Sequence, residues 1–121
     1  MGSYSFENIR IILPVKLDQS AVANGTVIFT WRPAKKIELV SFGLVVAEAW
    51  GPTASTVSLE VNDVEQGAKT IAGGTALGTE VNFEFSPPVD VAANAKIEFV
   101  AKDVTLEAGE GYFLLEYREI P

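Results

Sequence analysis

The carboxylates are the side chains most able to do acid–base chemistry in this sequence, because the chain has no histidine and no cysteine. It carries 16 Asp and Glu against 9 Lys and Arg, a formal charge of −7. Without imidazole or thiol, acid–base catalysis falls to carboxylates, lysine or tyrosine, and a carboxylate pair could in principle hydrolyse a glycoside. Glu60, Glu80, Glu84 and Glu98, however, alternate with apolar residues, as on the solvent side of a strand. We therefore predict that the protein is not an enzyme.

Two further segments could hold ions. Asn62 to Glu65 and Asp103 supply oxygen atoms of the kind that Ca²⁺ prefers, but an ordinary acidic turn explains them as well. The glycine-rich segment 73–79 lacks the Gly-Lys-Ser/Thr ending of a phosphate-binding P-loop. The sequence predicts no metal and no cofactor.

Aromatic and apolar side chains near the chain's ends and loops are candidates for an interface. Tyr4 and Phe6 lie close to the N-terminus, and Trp50 precedes Gly51-Pro52. Trp50 belongs either to the edge of the core or to an interface, since tryptophan is seldom fully buried and is common at interfaces. Ile9 and Ile12 lie in a strand that Pro14 marks as an edge, so we add them to the candidates.

The overall charge and length restrict the class of protein. The calculated pI near 4.5 argues against nucleic-acid binding, which needs a basic footprint. No apolar run approaches the length of a membrane span. A chain of 121 residues fits one domain, and we predict an N-terminal arm over residues 1–8 and a single domain over residues 9–121.

The elements that must position these groups are strands. Val, Ile and Thr account for 30 residues, and apolar side chains alternate with polar ones in 56–61, 80–85 and 96–99. The same alternation predicts a strand over 9–17 with Ile9, Ile11, Leu13, Val15 and Leu17 facing inward. Pro14 indicates that this strand lies at an edge or has a bulge. It also places Val27 with Phe29 and Trp31 on one face.

Two further long strands are expected, together with one short strand in a region that is otherwise irregular. The phase of 35–49 shifts near Leu39 and Val40, which indicates either a bulge or a strand covered on both faces. Residues 111–119 are apolar on both faces, which predicts a central strand. Residues 62–79 look irregular apart from a short strand near 69–72, and Pro87-Pro88 predicts a loop. Seven or eight short strands in one chain predict an all-β fold, an antiparallel two-sheet sandwich of the jelly-roll-like kind.

The order of motifs from Thr30 to the end resembles that of the jelly-roll-like capsid decoration, or cement, proteins of tailed bacteriophages. The motifs that carry the resemblance are Arg32-Pro33-Ala34, Lys36 to Leu44, Val57 to Asp63, Val89 to Phe99 and Thr105 to Arg118. The resemblance covers about three quarters of the chain as a pattern, and Ala93-Asn94-Ala95 stands where such proteins more often have glycine.

This resemblance implies a structural protein of the virion, located on the capsid surface, with the major capsid protein as its partner and no nucleic acid or membrane. It also implies a homo-oligomer, usually a trimer at three-fold positions. The alternative is a carbohydrate- or receptor-binding module of a virion fibre or tail or of a secreted protein, which would need a concave site lined by aromatic residues.

Overall fold

The structure, a computed structural model, describes residues 8–120. The interface candidates Tyr4 and Phe6 lie outside the described residues. Eight strands follow one another, and the described residues contain no helix. The strands are β1 (Ile9–Asp18), β2 (Thr26–Trp31), β3 (Ile37–Glu48), β4 (Ser55–Val61), β5 (Val64–Ile71), β6 (Glu80–Val91), β7 (Ile97–Asp103) and β8 (Glu110–Glu119).

The strands form two antiparallel four-stranded sheets, which confirms the predicted two-sheet sandwich. The first sheet has the order β1-β8-β3-β6 and the second the order β2-β7-β4-β5. Along the chain, β1 pairs with β8, β2 with β7, β3 with β6, and β4 with β5. The chain is thus one long hairpin, with its tip between β4 and β5, rolled so that successive strand pairs fall alternately into the two sheets. This is the strand order of a jelly roll.

Several details of the strands also follow the sequence pattern. β1 is an edge strand whose register shifts between Ile12 and Lys16, around Pro14, and the register of β3 shifts between Leu39 and Ser41. β8 is central, between β1 and β3. The predicted edge, the two bulges and the central strand are confirmed.

Bulges also explain where the predicted inward phase is wrong. Leu13 and Leu17 are buried as predicted, but Val15 between them is 39% exposed. It lies in the irregular stretch between Ile12 and Lys16, where β1 has two more residues than β8. Val27 is 43% exposed for a similar reason, since the register of β2 shifts between Val27 and Phe29.

The region after β4 is more regular than expected. Residues 64–71 form β5, joined to β4 by a two-residue turn at Asn62 and Asp63, whose φ angles are 50° and 67°. Asparagine and aspartate tolerate this left-handed conformation, so the turn closes a tight hairpin. Pro87 and Pro88 were also expected in a loop, but β6 runs through them to Val91. β6 is an edge strand, where a missing N–H donor is tolerated.

The core fills the space between the sheets with apolar side chains. Phe42, Phe99 and Phe113 are fully buried, and Phe85 is nearly so. The rings of Phe99 and Phe113 lie 5.3 Å apart between their centroids, joining the second sheet to the first. The other aromatic residues that the phase had placed inward, Phe29, Trp31 and Phe83, pack against this core but are only partly buried.

Candidate functional site

The connections between strands cluster at the two ends of the sandwich, and the candidate surfaces lie there. One end, which we call the loop end, consists of residues 19–25, 49–54, 72–79 and 104–109. The opposite end, which we call the groove end, consists of residues 32–36, 62–63 and 92–96.

Backbone hydrogen bonds join the loops of the loop end to one another. Trp50 N–H donates to Thr75 O at 2.9 Å, and Gly51 N–H donates to Ala108 O at 2.8 Å. Gln19 N–H donates to Gly109 O at 2.8 Å. Each of the four loops is therefore held by at least one of its neighbours.

A buried polar network lies beneath these loops. Gln19 and Ser55 are at most 1% exposed. The Gln19 side chain accepts a hydrogen bond from Ser55 Oγ and donates from Nε2 to Ala108 O at 2.8 Å, while Ser55 Oγ accepts from Trp50 Nε1 at 3.2 Å. The side chains of Gln19, Ser55 and Trp50 thus each have a hydrogen-bond partner within the network, which ties the loops to one another.

Of the two alternatives that the sequence left open for Trp50, the structure supports the core over an interface. Its side chain is only 3% exposed, and its indole N–H donates to Ser55. Residues of the β1–β2 and β7–β8 loops lie around its ring. One of them is Gly109, where an added Cβ would lie 3.0 Å from the indole ring.

Two leucines are exposed at the loop end, and sequence reasoning missed both. Leu77 in the β5–β6 loop is 66% exposed and Leu106 in the β7–β8 loop is 72% exposed. Beside Leu106 lies a shallow depression of about 690 Å³, lined by residues 20–24 and Val104. A signal was present, because each leucine stands alone in a small-residue loop where no strand periodicity requires an apolar side chain.

The loops of the loop end are almost free of charge. Among residues 19–25, 49–54, 72–79 and 104–109, Glu107 is the one charged side chain. The cores of protein–protein interfaces are likewise depleted of charge. Exposed leucines on hydrogen-bonded loops with a single charged side chain therefore form a surface suited to contact with another protein.

The two remaining interface candidates lie on β1. Ile12 is 62% exposed and stands opposite the nearly buried Leu114, over a cavity of about 200 Å³ that Arg10, Val45 and Glu80 also line. Ile9 is only partly exposed and pairs with Tyr117. β1 therefore places Ile12, rather than Ile9, as an apolar contact on the outer face of the first sheet.

The groove end is open between the sheets. Trp31, at the end of β2, and Tyr117, near the end of β8, meet across the sandwich with ring centroids 5.1 Å apart and ring planes at 55°. Both rings are partly exposed and line a groove of about 320 Å³. The other lining residues are Arg32, Pro33, Ala34, Lys35, Ile37 and Glu119.

Cations surround this groove although the protein as a whole is acidic. Arg32 donates from Nη1 to the carbonyl oxygen of Asn94 at 3.0 Å, a neutral acceptor that leaves the guanidinium charge uncompensated. Lys35 Nζ lies 3.7 Å from a Glu119 carboxylate oxygen, and its side chain is 73% exposed. Burial and the nearby Glu119 carboxylate raise the pKa of the Tyr117 phenol, so the ring presents a neutral hydroxyl at physiological pH.

The predicted oxygen donors do not converge on one site. Glu60, Asp63 and Glu98 lie within 4.8 Å of one another, but the Lys96 ammonium is among them, 2.6 Å from Asp63 Oδ1 and 3.3 Å from Glu98 Oε1. The Lys96 ammonium supplies the positive charge that balances these carboxylates. Its hydrogen bond to Asp63 raises the pKa of Lys96 and lowers the pKa of Asp63.

The other proposed donors have separate partners. Asn62 Oδ1 accepts from Lys96 N–H at 3.0 Å, and Glu65 pairs with Lys102 at 2.7 Å. Asp103 pairs in register with Thr56, at the opposite end of β4 from the turn. This arrangement corresponds to the acidic turn that the sequence had offered as the alternative to a calcium site.

Two further findings complete the description. No helix that could cross a membrane occurs among residues 8–120. Comparison of the sequence with protein-family models and with curated proteins finds no match.

Proposed function

We propose that this protein is a non-enzymatic structural protein of a virion that binds the outer surface of a phage capsid and stabilises it. The observation that carries the proposal is the loop end, where Leu77 and Leu106 are exposed on loops that carry one charge, Glu107, and are held by a buried hydrogen-bond network. The eight-stranded jelly roll, an architecture that viral proteins use often, supports it as an analogy of fold.

Docking through the loop end suits the physical demands of such a role. Loops that are already ordered lose little conformational freedom on binding, so more of the apolar contact energy contributes to affinity. A contact surface with a single charge also lets a chain of charge −7 bind another protein while most of its charges stay in water. A protein that binds the assembled shell alone stabilises it by RT ln(1 + [L]/Kd) for each site.

The proposal is tested with shells of the major capsid protein encoded in the same genome, prepared without this protein. Adding back the purified wild-type chain should produce co-sedimentation with the shells and raise their melting temperature. Leu77→Asp and Leu106→Asp should each weaken binding by about tenfold or more, as expected for apolar anchors at the centre of an interface.

Val64→Asp is the matched control. Val64 is 61% exposed, close to the 66% of Leu77, but it follows the β4–β5 turn at the groove end. It should bind shells like the wild type. Equal loss of binding in all three variants, or a genome that encodes no major capsid protein, would overturn the proposal.

We further propose that the protein acts as a trimer, with β1 and the N-terminal arm at the contact between subunits. Ile12 and Val15 are exposed on this edge strand. A trimer would carry 3 × (−7) = −21, so repulsion between subunits should decrease as salt screens it. Sedimentation should show assembly that strengthens or holds as salt rises from about 0.02 to 0.5 M, and that weakens on deletion of residues 1–8. Dissociation on adding salt would contradict an apolar contact.

A further inference from the structure

We infer that the groove end is a binding site for a saccharide that carries a carboxylate, such as a uronate or sialate residue. This inference goes beyond the proposed role in capsid binding and does not depend on it. It begins with the geometry of the groove, whose 320 Å³ has room for one or two sugar rings.

The aromatic pair supplies the apolar part of such a site. Trp31 and Tyr117 expose part of each ring toward the groove, and their planes are tilted by 55° rather than stacked on each other. The aliphatic C–H face of a pyranose can therefore pack on an exposed ring face. The Tyr117 hydroxyl, which is protonated at physiological pH, can donate a hydrogen bond to a sugar hydroxyl and accept one from it.

The charge distribution selects an anionic ligand. Within loops 32–36, 62–63 and 92–96 there are four cations, Arg32, Lys35, Lys36 and Lys96, against one anion, Asp63. Lys96 is paired with Asp63, and Lys35, which lines the groove, lies 3.7 Å from Glu119, the one carboxylate in the lining. Arg32 also lines the groove and donates to a neutral carbonyl oxygen, so its charge is left for a ligand. The hydrogen bond from Arg32 to a backbone carbonyl oxygen holds the guanidinium in place, so a ligand carboxylate could accept hydrogen bonds from its remaining N–H groups.

The two tryptophans allow a test on the unmodified chain, because Trp31 lies in the groove and Trp50 is buried at the opposite end. The ¹H–¹⁵N spectrum has one indole N–H signal for each. Oligosaccharides of galacturonate and glucuronate and N-acetylneuraminic acid should shift the Trp31 signal with a Kd on the order of 1 mM, and leave the Trp50 signal in place. The methyl esters of the same sugars, which lack the charge, should bind at least about fivefold more weakly.

Charge-neutral variants test the site itself. Arg32→Gln and Lys35→Gln should each weaken binding of the acidic sugars by about threefold or more, the range of an exposed ion pair. Lys36→Gln is the matched control, because it removes the same charge from the adjacent residue, which does not line the groove. It should change the affinity by less than about 1.5-fold at 0.15 M salt, where charges beyond about 8 Å are screened.

The inference is overturned if none of these sugars shifts the Trp31 signal at 10 mM, a concentration of about ten times the expected Kd. Equal binding of the acids and their methyl esters would also overturn it, as would equal effects of Lys35→Gln and Lys36→Gln. A peptide with the sequence of residues 1–8 is added separately; if it shifts Trp31 at lower concentration than every sugar, the groove is a peptide site instead. None of these outcomes alters binding to capsid shells through Leu77 and Leu106.

Discussion

The two ends of this sandwich solve the same problem, closing a core between two sheets, with different chemistry. At the loop end a tryptophan is sealed in by Gln19 and Ser55, and the loops above it carry a single charge, Glu107. At the groove end a tryptophan and a tyrosine remain partly exposed among four cations. At the loop end, a buried hydrogen-bond network holds in place the loops that carry the exposed leucines. At the groove end, a groove exists because the loops do not cover the aromatic rings at the edge of the core.

The two tryptophans give the largest expected contrast. Trp50→Ala should lower the free energy of unfolding by about 3–5 kcal/mol, because it leaves a cavity at a residue that is 3% exposed. Trp31→Ala should cost less than half as much, since its ring is already partly in water. Chemical denaturation of both variants provides the measurement. Equal losses would show that the two ends are closed to the same degree.

The polar network beneath the loops comes next in size. Gln19→Met keeps the length of the side chain but leaves Ser55 Oγ without its acceptor, so we expect a loss of about 1–3 kcal/mol in the free energy of unfolding. Gln66→Met is the control, because the Gln66 amide bonds only locally, to Val64 O. It should change stability by no more than about 0.5 kcal/mol. If Gln19→Met left the free energy of unfolding unchanged, the loops would hold one another without the network.

Exposed leucines at the loop end should matter little for folding. Leu77→Asp and Leu106→Asp should each alter the free energy of unfolding by no more than about 0.5 kcal/mol, as substitutions at exposed positions usually do. Thermal unfolding of the isolated protein measures this. A large destabilisation would mean that the leucines belong to the core, and the docking results would then report misfolding.

The smallest effect concerns the turn at the groove end and depends on pH. Lys96 lowers the pKa of Asp63 in the folded state, so the ionised carboxylate stabilises the fold above the usual value of 3.8. That contribution disappears as pH falls through the lowered pKa. The difference in melting temperature between wild type and Asp63→Asn should therefore hold from pH 8 to 5 and shrink toward pH 2. In a Lys96→Met background the difference should be much smaller at every pH.

Much of the fold could be predicted because alternation is a local property of the sequence. The strands at 56–61, 80–85 and 96–99, the edge position of β1 and the central position of β8 all follow from it. Bulges break the rule. One extra residue in β2 leaves Val27 exposed, and two extra residues in β1, between Ile12 and Lys16, leave Val15 exposed. β5 was underestimated because its glycine and charged residues hide the alternation.

The candidate site was harder to predict, since it depends on contacts between distant parts of the chain. Trp31 and Tyr117 meet because β2 and β8 end on the same side of different sheets, which no local pattern encodes. The sequence could not decide between core and interface for Trp50, because its indole is tied through Ser55 to Gln19 from another loop. By contrast, the charges of each loop can be counted in the sequence. The difference in charge between the two ends appears only when the fold shows which loops lie together.

The rolled hairpin has a consequence for the order of folding. Among the eight strands of residues 8–120, β4 and β5 are the one sheet pair that is consecutive in the chain, whereas β1 finds its partner in β8. Pairings of such large sequence separation form slowly, so we expect the Asn62-Asp63 hairpin to form early and the β1–β8 pair to form last. During synthesis β1 must therefore wait for β8 to leave the ribosome. An unpaired strand invites association with other chains, and Pro14, which interrupts its hydrogen-bonding edge, protects it in that interval.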